Sequence, residues 1–506
     1  MTESPTELLQ AFWEYERALM ANDLVALDAL FAPGPNTLRG DAAGILIGHD
    51  AISEFRAGRG GAGERDILHV EVRELGDDAA LVVAITAPVT GGRGQQTQLW
   101  QRIDGAWLVA AAHVSLPAPA VNPTVWRTVG TPLVAGIESG LLSGETVAVK
   151  DLFDIEGYPV GAGIPAYLAE SGPATGTAPA VAALLEVGAD ITGIARTDEF
   201  AYSIAGRNSH YGTPPNVAVP GGVPGGSSSG PASAVALGQA SIGLGTDTAG
   251  SIRVPASYQG LWGLRTTHGA VSTERLLPLA PTFDSVGWLT RTARTLRGAA
   301  EATLDPAKQV AVAPEFVTSP ALTAHAEPDV RAAFDEFVAG LDLPEVDFGD
   351  IDELFLTFRT VQAAEAWRTH GDWITAHPTA LGEDVAARFA FASTITSRQE
   401  AEGRVALAAA RIRIAAALGD RVLLVPSASS TAPSILADGD LIERTRQGTL
   451  RLTSIAGLSG RPALSVPLLS VPQGGTPLPA PVGLCLVGPR FGDLALIDLA
   501  EELQRE

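Results

Sequence analysis

The apolar positions follow different periods along the chain. Over residues 5–31, PTELLQAFWEYERALMANDLVALDALF, the residues Leu8, Leu9, Phe12, Tyr15 and Leu19 recur at helical spacing, which predicts an amphipathic helix and then a shorter one. Beyond the glycine-rich break GRGGAGERD the period falls toward two. ILHVEVREL alternates, AALVVAITAPV is a β-rich run, and TQLWQRIDGAWLVAAAHVSL carries Asp104-Gly105 between two strand patterns, a strong hairpin signal. Helices followed by a curled antiparallel sheet predict a small α+β domain over residues 1–116. Residues 117–132 are rich in proline with little periodicity and read as a linker. From 133 to 506, strand-like runs (TVAVKDLF, ADITGIAR, SIGLGT, VLLVPS) alternate with helical ones (APAVAALLEVG, PASAVALG). That pattern predicts an α/β domain built on a large mixed, mainly parallel, twisted sheet covered by helices.

Composition narrows the function more than the fold. A chain of 506 residues exceeds one ordinary core, in keeping with two domains. The formal charge of -23 argues against a nucleic-acid or anionic-membrane partner, either of which needs a cationic face. The start MTESPTELLQ has no basic and apolar leader pattern, and every apolar run is broken well before bilayer length. The single cysteine, Cys485 in PVGLCLVG, excludes an intrachain disulfide and reads as a buried, inert thiol. These features together predict a soluble cytoplasmic protein. His210, His268, His370 and His377 show no metal-ligand spacing, and no cofactor motif is apparent.

Lysine usage changes the picture. Of 34 basic residues only Lys150 and Lys308 are lysine, and Lys150 lies in the apolar run TVAVKDLFDI. Arginine cannot give up its proton, whereas a buried lysine has its pKa pushed down toward that of a useful base; compositional drift is the bland alternative. The stretch PGGSSSGPASAVALGQASIGLGTDTAGSIRVP, residues 224–255, then supplies two serines in small-residue surroundings. Ser227 lies 77 residues after Lys150, and Ser251 a further 24 on. Serine is a poor nucleophile until a base and an oxyanion hole surround it. A hydroxyl both donates and accepts, so Ser227 can relay a proton from Ser251 to a neutral Lys150.

Three motifs at this order and spacing, GETVAVKDLFDIEGYP, GGSSSG and GTDTAGSIRVPASYQGLWGLRTTHGAVS, resemble the amidase signature family over residues 130–290 and more weakly to the C-terminus. The resemblance implies a Ser251 nucleophile, a Ser227 relay on a cis peptide and a Lys150 base. It also implies an oxyanion hole of backbone N–H groups at Thr248, Ala249, Gly250 and Ser251, with Ser228, Asp247 and Arg253 in support. Two positions depart from the family pattern. Ala249 adds a methyl where glycine is commoner, and Pro231 stands where Gly and Ser are usual, expected here at the first position of a helix running to Leu237. HYGTPPN, VPGGSSSG, GSIRVPASY and GAVS look closest to the amidases that hydrolyse indole-3-acetamide. In the family the downstream segment tends to supply the acyl pocket, so Phe355, Phe358, Trp367 and Trp373 are candidate walls, with core packing the alternative.

The first 116 residues resemble the SnoaL-like (NTF2-like) cone domains, in particular the AtzH-like group, through YERALMANDLVALDALF, GHDAISEFRAGR and WQRIDGAWLVAAAHVSL. A cone of this type would offer Arg39, Arg56, Arg59, Arg65 and His113 to a carboxylate, against a solvated surface role for the arginines. The reading is therefore a serine amidohydrolase that turns a primary carboxamide into carboxylate and ammonia without a cofactor, with a small-molecule amide as its partner and a homodimer as an open option. The alternatives are a bifunctional or ureido/carboxybiuret-type amidohydrolase, a glutamine-dependent amidotransferase subunit, an inactive fold, and a Ser-His-Asp hydrolase using Ser228 in the elbow GSSSG.

Overall fold

The computed structural model describes residues 6–41, 44–59, 62–89, 92–115, 121–341, 343–473 and 478–505. The chain divides into two compact units, one of residues 1–120 together with 475–478, the other of residues 121–474 and 479–506. Among the described residues no helix is long and apolar enough to cross a membrane.

In the first unit the expected helices are α1 (Thr6–Ala21) and α2 (Leu24–Ala29), the second capped by the Asp23 carboxylate accepting from the Ala26 N–H. A further helix, α3 (His49–Arg59), accompanies a six-stranded sheet of order β2-β1-β6-β5-β4-β3. Its strands are β1 (Leu38–Asp41), β2 (Gly44–Ile47), β3 (Arg65–Glu74), β4 (Ala79–Pro88), β5 (Gly94–Ile103) and β6 (Ala106–Ser115). Asp104 and Gly105 form the two-residue turn between β5 and β6, both at positive φ (50° and 82°), the geometry a tight hairpin requires. The α1 positions chosen by periodicity, Leu8, Phe12 and Tyr15, pack with Phe31, Trp100 and Val109 into one apolar cluster.

Three of the four candidate arginines are not solvated. Arg39 is buried against Asp41 (2.7 Å) and over the Phe55 ring (4.5 Å). Arg56 is buried over the Phe31 ring (3.9 Å) and donates to the Leu27 carbonyl. Arg65 pairs with the buried Glu16 (2.8 Å) and reaches Gln96. Burial next to these guanidinium groups leaves the Tyr15 phenol raised above its ordinary value, desolvation outweighing the nearby positive charge. His113 is exposed on β6, opposite Thr97 and Gly40. Arg59 ends α3, and its side chain lies outside the described residues.

The second unit is a ten-stranded mixed sheet of order β13-β14-β16-β15-β11-β12-β10-β8-β9-β7. The strands are β7 (Trp126–Val134), β8 (Thr146–Lys150), β9 (Asp190–Ala195), β10 (Ile242–Asp247), β11 (Trp262–Arg265), β12 (Ser285–Thr290), β13 (Phe316–Val317), β14 (Val422–Pro426), β15 (Ala463–Val471) and β16 (Ala480–Val487). Parallel pairing is confined to β9-β8-β10 and β13-β14, whereas the sequence pattern predicts it through most of the sheet. The reason lies in the connections. Among the described residues no helix intervenes between β11 and β12 or between β15 and β16, and both pairs are antiparallel. Residues 117–120 of the expected linker lie outside the described set, and β7 begins within it at the buried Trp126. Pro132 is accommodated there because β7 is an edge strand whose register breaks between Val129 and Val134.

Five helices of this unit bear on the site: α4 (Ser229–Ala236), α5 (Arg253–Gln259), α6 (Ile351–Ala376), α7 (Glu383–Ser393) and α8 (Gly439–Ser459). Pro231 is the third residue of α4, not the first. The substitution is harmless for the same reason, since N–H groups of a first turn have no partner one turn back.

Candidate active site

The parallel strands β9, β8 and β10 lie side by side, and the candidate residues sit at or just beyond their carboxyl ends. Lys150 is the last residue of β8 and is fully buried. Its Nζ donates to Ser227 Oγ and to Thr246 Oγ1, each at 2.8 Å. Burial pushes the amine down to about 7, opposed by the negative charges of Asp198, Asp247 and Asp284. Thr246, which the sequence reading missed, thus shares the lysine with Ser227.

Ser227 is held from two sides. Its carbonyl accepts from Thr197 Oγ1 (2.9 Å), and the Gly226–Ser227 peptide is cis. The glycine before it is required by space, because a Cβ on Gly226 would come within 2.9 Å of the Asp198 carboxylate carbon and 2.6 Å of the Gly206 backbone nitrogen. Asp198, also missed, accepts from the Gly206 N–H and from Ser229 Oγ, and burial pushes its carboxyl up to about 6. Ser228 is fully buried. Its N–H donates to the Ser251 carbonyl and its hydroxyl to the Thr246 carbonyl, each at 3.3 Å, tying the two serine segments together.

The turn 248–251 follows β10 and is built on Asp247. That carboxylate accepts from Arg253 Nε (3.0 Å) and Nη2 (2.8 Å), from Arg265 Nη1 (3.1 Å), and from the N–H groups of Gly250 and Ile252. Burial alone would raise its pKa, but the two guanidinium groups and these hydrogen bonds hold it well below the usual carboxylate range. The consequence for the expected oxyanion hole is a correction at Gly250. Its N–H, bound to Asp247 Oδ1 at 2.9 Å, is already engaged. The N–H groups of Thr248, Ala249 and Ser251 donate to no acceptor among the described residues, and neither does the Ser251 hydroxyl. The rest of the turn is fastened by Thr248 Oγ1 on Asp284 (2.6 Å) and by Thr453 Oγ1 of α8 on the Ala249 carbonyl (2.6 Å).

Replacing Asp247 by alanine strands two fully buried guanidinium groups and is expected to cost about 3–5 kcal/mol of stability. A drop in the thermal and denaturant midpoints of the full chain checks this. An Asp247→Ala protein as stable as the parent would mean that the pair does not hold the turn.

Thr248, Ala249 and Ser251 open onto a cleft whose walls include Tyr202, Gln362, Arg446 and Leu450. None of the four aromatic candidates lines it. Phe358 is buried against Phe283 (4.6 Å), and Phe355 lies under the Arg451 guanidinium (4.5 Å). Trp373 packs on Tyr167, Phe200 and His377, and Trp367 is partly buried against the core. From α6 it is Gln362 that turns to the cleft, a position with no sequence signal beyond its helical offset from those aromatics. Cys485 is buried on β16.

The Amidase family model matches residues 133–497, about seven-tenths of the chain and the whole of the site just described. The chain belongs to the Amidase family. As an amidase it is a hydrolase of carbon–nitrogen bonds. The AtzH-like family model matches residues 2–119. Amidase 1 of Oryza sativa subsp. japonica is 34% identical over 398 residues, covering 72% of this chain and 90% of the relative. A 2-amino-5-chloromuconic acid deaminase of Comamonas testosteroni is 35% identical over 394 residues, covering 74% of this chain and 83% of its own. A crystal structure of an amidase superposes with a TM-score of 0.64 at 30% identity, covering 72% of this chain and 85% of its own.

Proposed function

We propose that this amidase hydrolyses a small primary carboxamide to a carboxylate and ammonia through an acyl-enzyme on Ser251. The observation that carries the reading is the bond from a fully buried Lys150 Nζ to Ser227 Oγ, in a segment tied to Ser251 by the Ser228 N–H. Ser251 Oγ attacks the amide carbon while its proton passes through Ser227 to the neutral lysine. The oxyanion forms against the unengaged N–H groups of the turn 248–251. As the tetrahedral adduct collapses, the proton returns through Ser227 to the leaving nitrogen, the C–N bond breaks and ammonia departs. Water, deprotonated along the same path, then cleaves the ester. Proton transfer of this kind contributes about 10²- to 10⁴-fold, so positioning and charge stabilisation supply the remainder.

The commitment of the buried Ser228 hydroxyl to a backbone carbonyl weighs against Ser228 as a rival nucleophile. The relatives' names, an amidase and a deaminase, support ammonia release as the common readout. We place the activity in the cytoplasm and the cone unit in a supporting or second-ligand role. A homodimer is the assembly to look for by light scattering.

The test is ammonia release from a panel of aryl, indolyl, aliphatic and ureido amides, together with labelling by a serine-directed phosphonate. Turnover of at least one amide and a mass adduct on Ser251 are expected. An absence of both would remove the reading.

A further inference from the structure

The cleft beside Ser251 carries a charge that cleavage of a plain amide does not use. Of the side chains that line it, Arg446 alone is charged. Arg446 lies on α8 at helical spacing from Leu450, another wall of the cleft, and from Thr453, which holds the Ala249 carbonyl, so this face of the helix looks onto the turn 248–251. Arg446 Nη1 donates to Glu443 Oε1 (3.1 Å), a carboxylate that also accepts from Gln447 and is half exposed. The Nε and Nη2 edge of the guanidinium has no hydrogen-bond partner among the described residues. That edge is the planar fork that receives a carboxylate in two parallel bonds.

Neighbouring groups add to the positive field. Arg388 of α7 donates to the carbonyl of Tyr202, a cleft residue, at 3.0 Å. Burial first, and then the charge of Arg446, push Arg388 down to about 10. Arg359 of α6 stacks over Phe391 (3.9 Å), and the charges of all three arginines reach the Tyr202 phenol. The carboxylates near this group are Glu443, half exposed, and Asp384, exposed; neither lines the cleft, so the excess charge on the cleft side is positive. An anionic ligand offsets that excess.

We propose that the acyl group of the substrate carries a carboxylate, bound by Arg446, so that the substrate class is the monoamide of a short dicarboxylic acid. This rests on the amidase reading above, and the chain between amide and carboxylate has to span from Ser251 to Arg446, two walls of one cleft.

The experiment compares succinamate and glutaramate with their neutral counterparts butyramide and valeramide, and with aryl amides, for ammonia release by the full chain, Arg446→Gln and Arg446→Lys. The wild-type kcat/KM is expected to favour the carboxylated member of each pair by about 10- to 100-fold. Arg446→Gln should erase that preference, and Arg446→Lys, which keeps the charge but loses the fork, should retain part of it. Preference for the neutral or aryl amides, or an equal loss on both members of a pair in Arg446→Gln, overturns the carboxylate subsite while leaving the amidase reading standing. Failure of every amide together with no adduct on Ser251 overturns both. If the variants do not fold, the wild-type pairwise comparison decides alone.

Discussion

Ser251→Ala is expected to release no measurable ammonia from any amide that the parent hydrolyses, a fall of about 10⁴-fold or more in kcat, and to take up no serine-directed phosphonate. The nucleophile carries the covalent step, and without it only the oxyanion hole and binding contribute. The substitution costs little in stability, because the Ser251 hydroxyl makes no hydrogen bond within the described protein. An unchanged melting temperature therefore accompanies the lost activity. Turnover within about tenfold of the parent, or an adduct that moves to Ser228, would transfer the chemistry to the other serine.

Lys150→Arg is expected to fall as far as Lys150→Ala, by about 10²- to 10⁴-fold, because a guanidinium keeps the charge but cannot accept the proton. The same logic sets the pH dependence of the parent. Only the neutral amine is a base, and burial holds its pKa at about 7, so kcat/KM rises with pH through about 7 and levels above it. Asp198, pushed up to about 6, faces the same lysine, and the observed limb belongs to the coupled group. The linkage to folding has the same direction. The amine's pKa is lower in the folded protein than in the unfolded chain. This group's contribution to stability is therefore fully present above the unfolded value of about 10.5 and is lost as pH falls to about 7. A flat activity profile across this range, or an arginine variant with a tenth of the parent activity, would remove Lys150 from the base role.

The proposed proton path and the fold were legible for different reasons. Lys150 was visible because a lysine in an apolar strand is costly unless used, in a chain that otherwise employs arginine. Ser227 and Ser251 were visible because catalysis at a backbone-lined turn demands small residues at short range in sequence. Thr246 and Asp198 were not, because an isolated threonine or aspartate beside a motif looks like any capping or loop residue until the lysine is placed against it. The donors of the turn show the same limit. Thr248, Ala249 and Gly250 look equivalent in sequence, and only the bond from the Gly250 N–H to Asp247 sets one apart. The acyl pocket failed for a related reason. Aromatic residues at partly helical spacing, such as Phe355 and Phe358, are drawn to whichever face buries most area, here the core, and the polar Gln362 is left on the cleft.

The sequence by itself determined α1, α2 and the β5–β6 hairpin of the first unit, the order of the three motifs and the residues proposed here as base, relay and nucleophile. Those depend on periodicity, turn chemistry and residue type, which act over a few positions. Tertiary structure alone decided which strands run antiparallel, which N–H groups stay open beside Ser251, and that Arg446, 195 residues after Ser251, stands in the same cleft with a guanidinium edge that meets no partner among the described residues. Contacts between residues so far apart in the chain arise from packing whole elements together, and no local pattern encodes them.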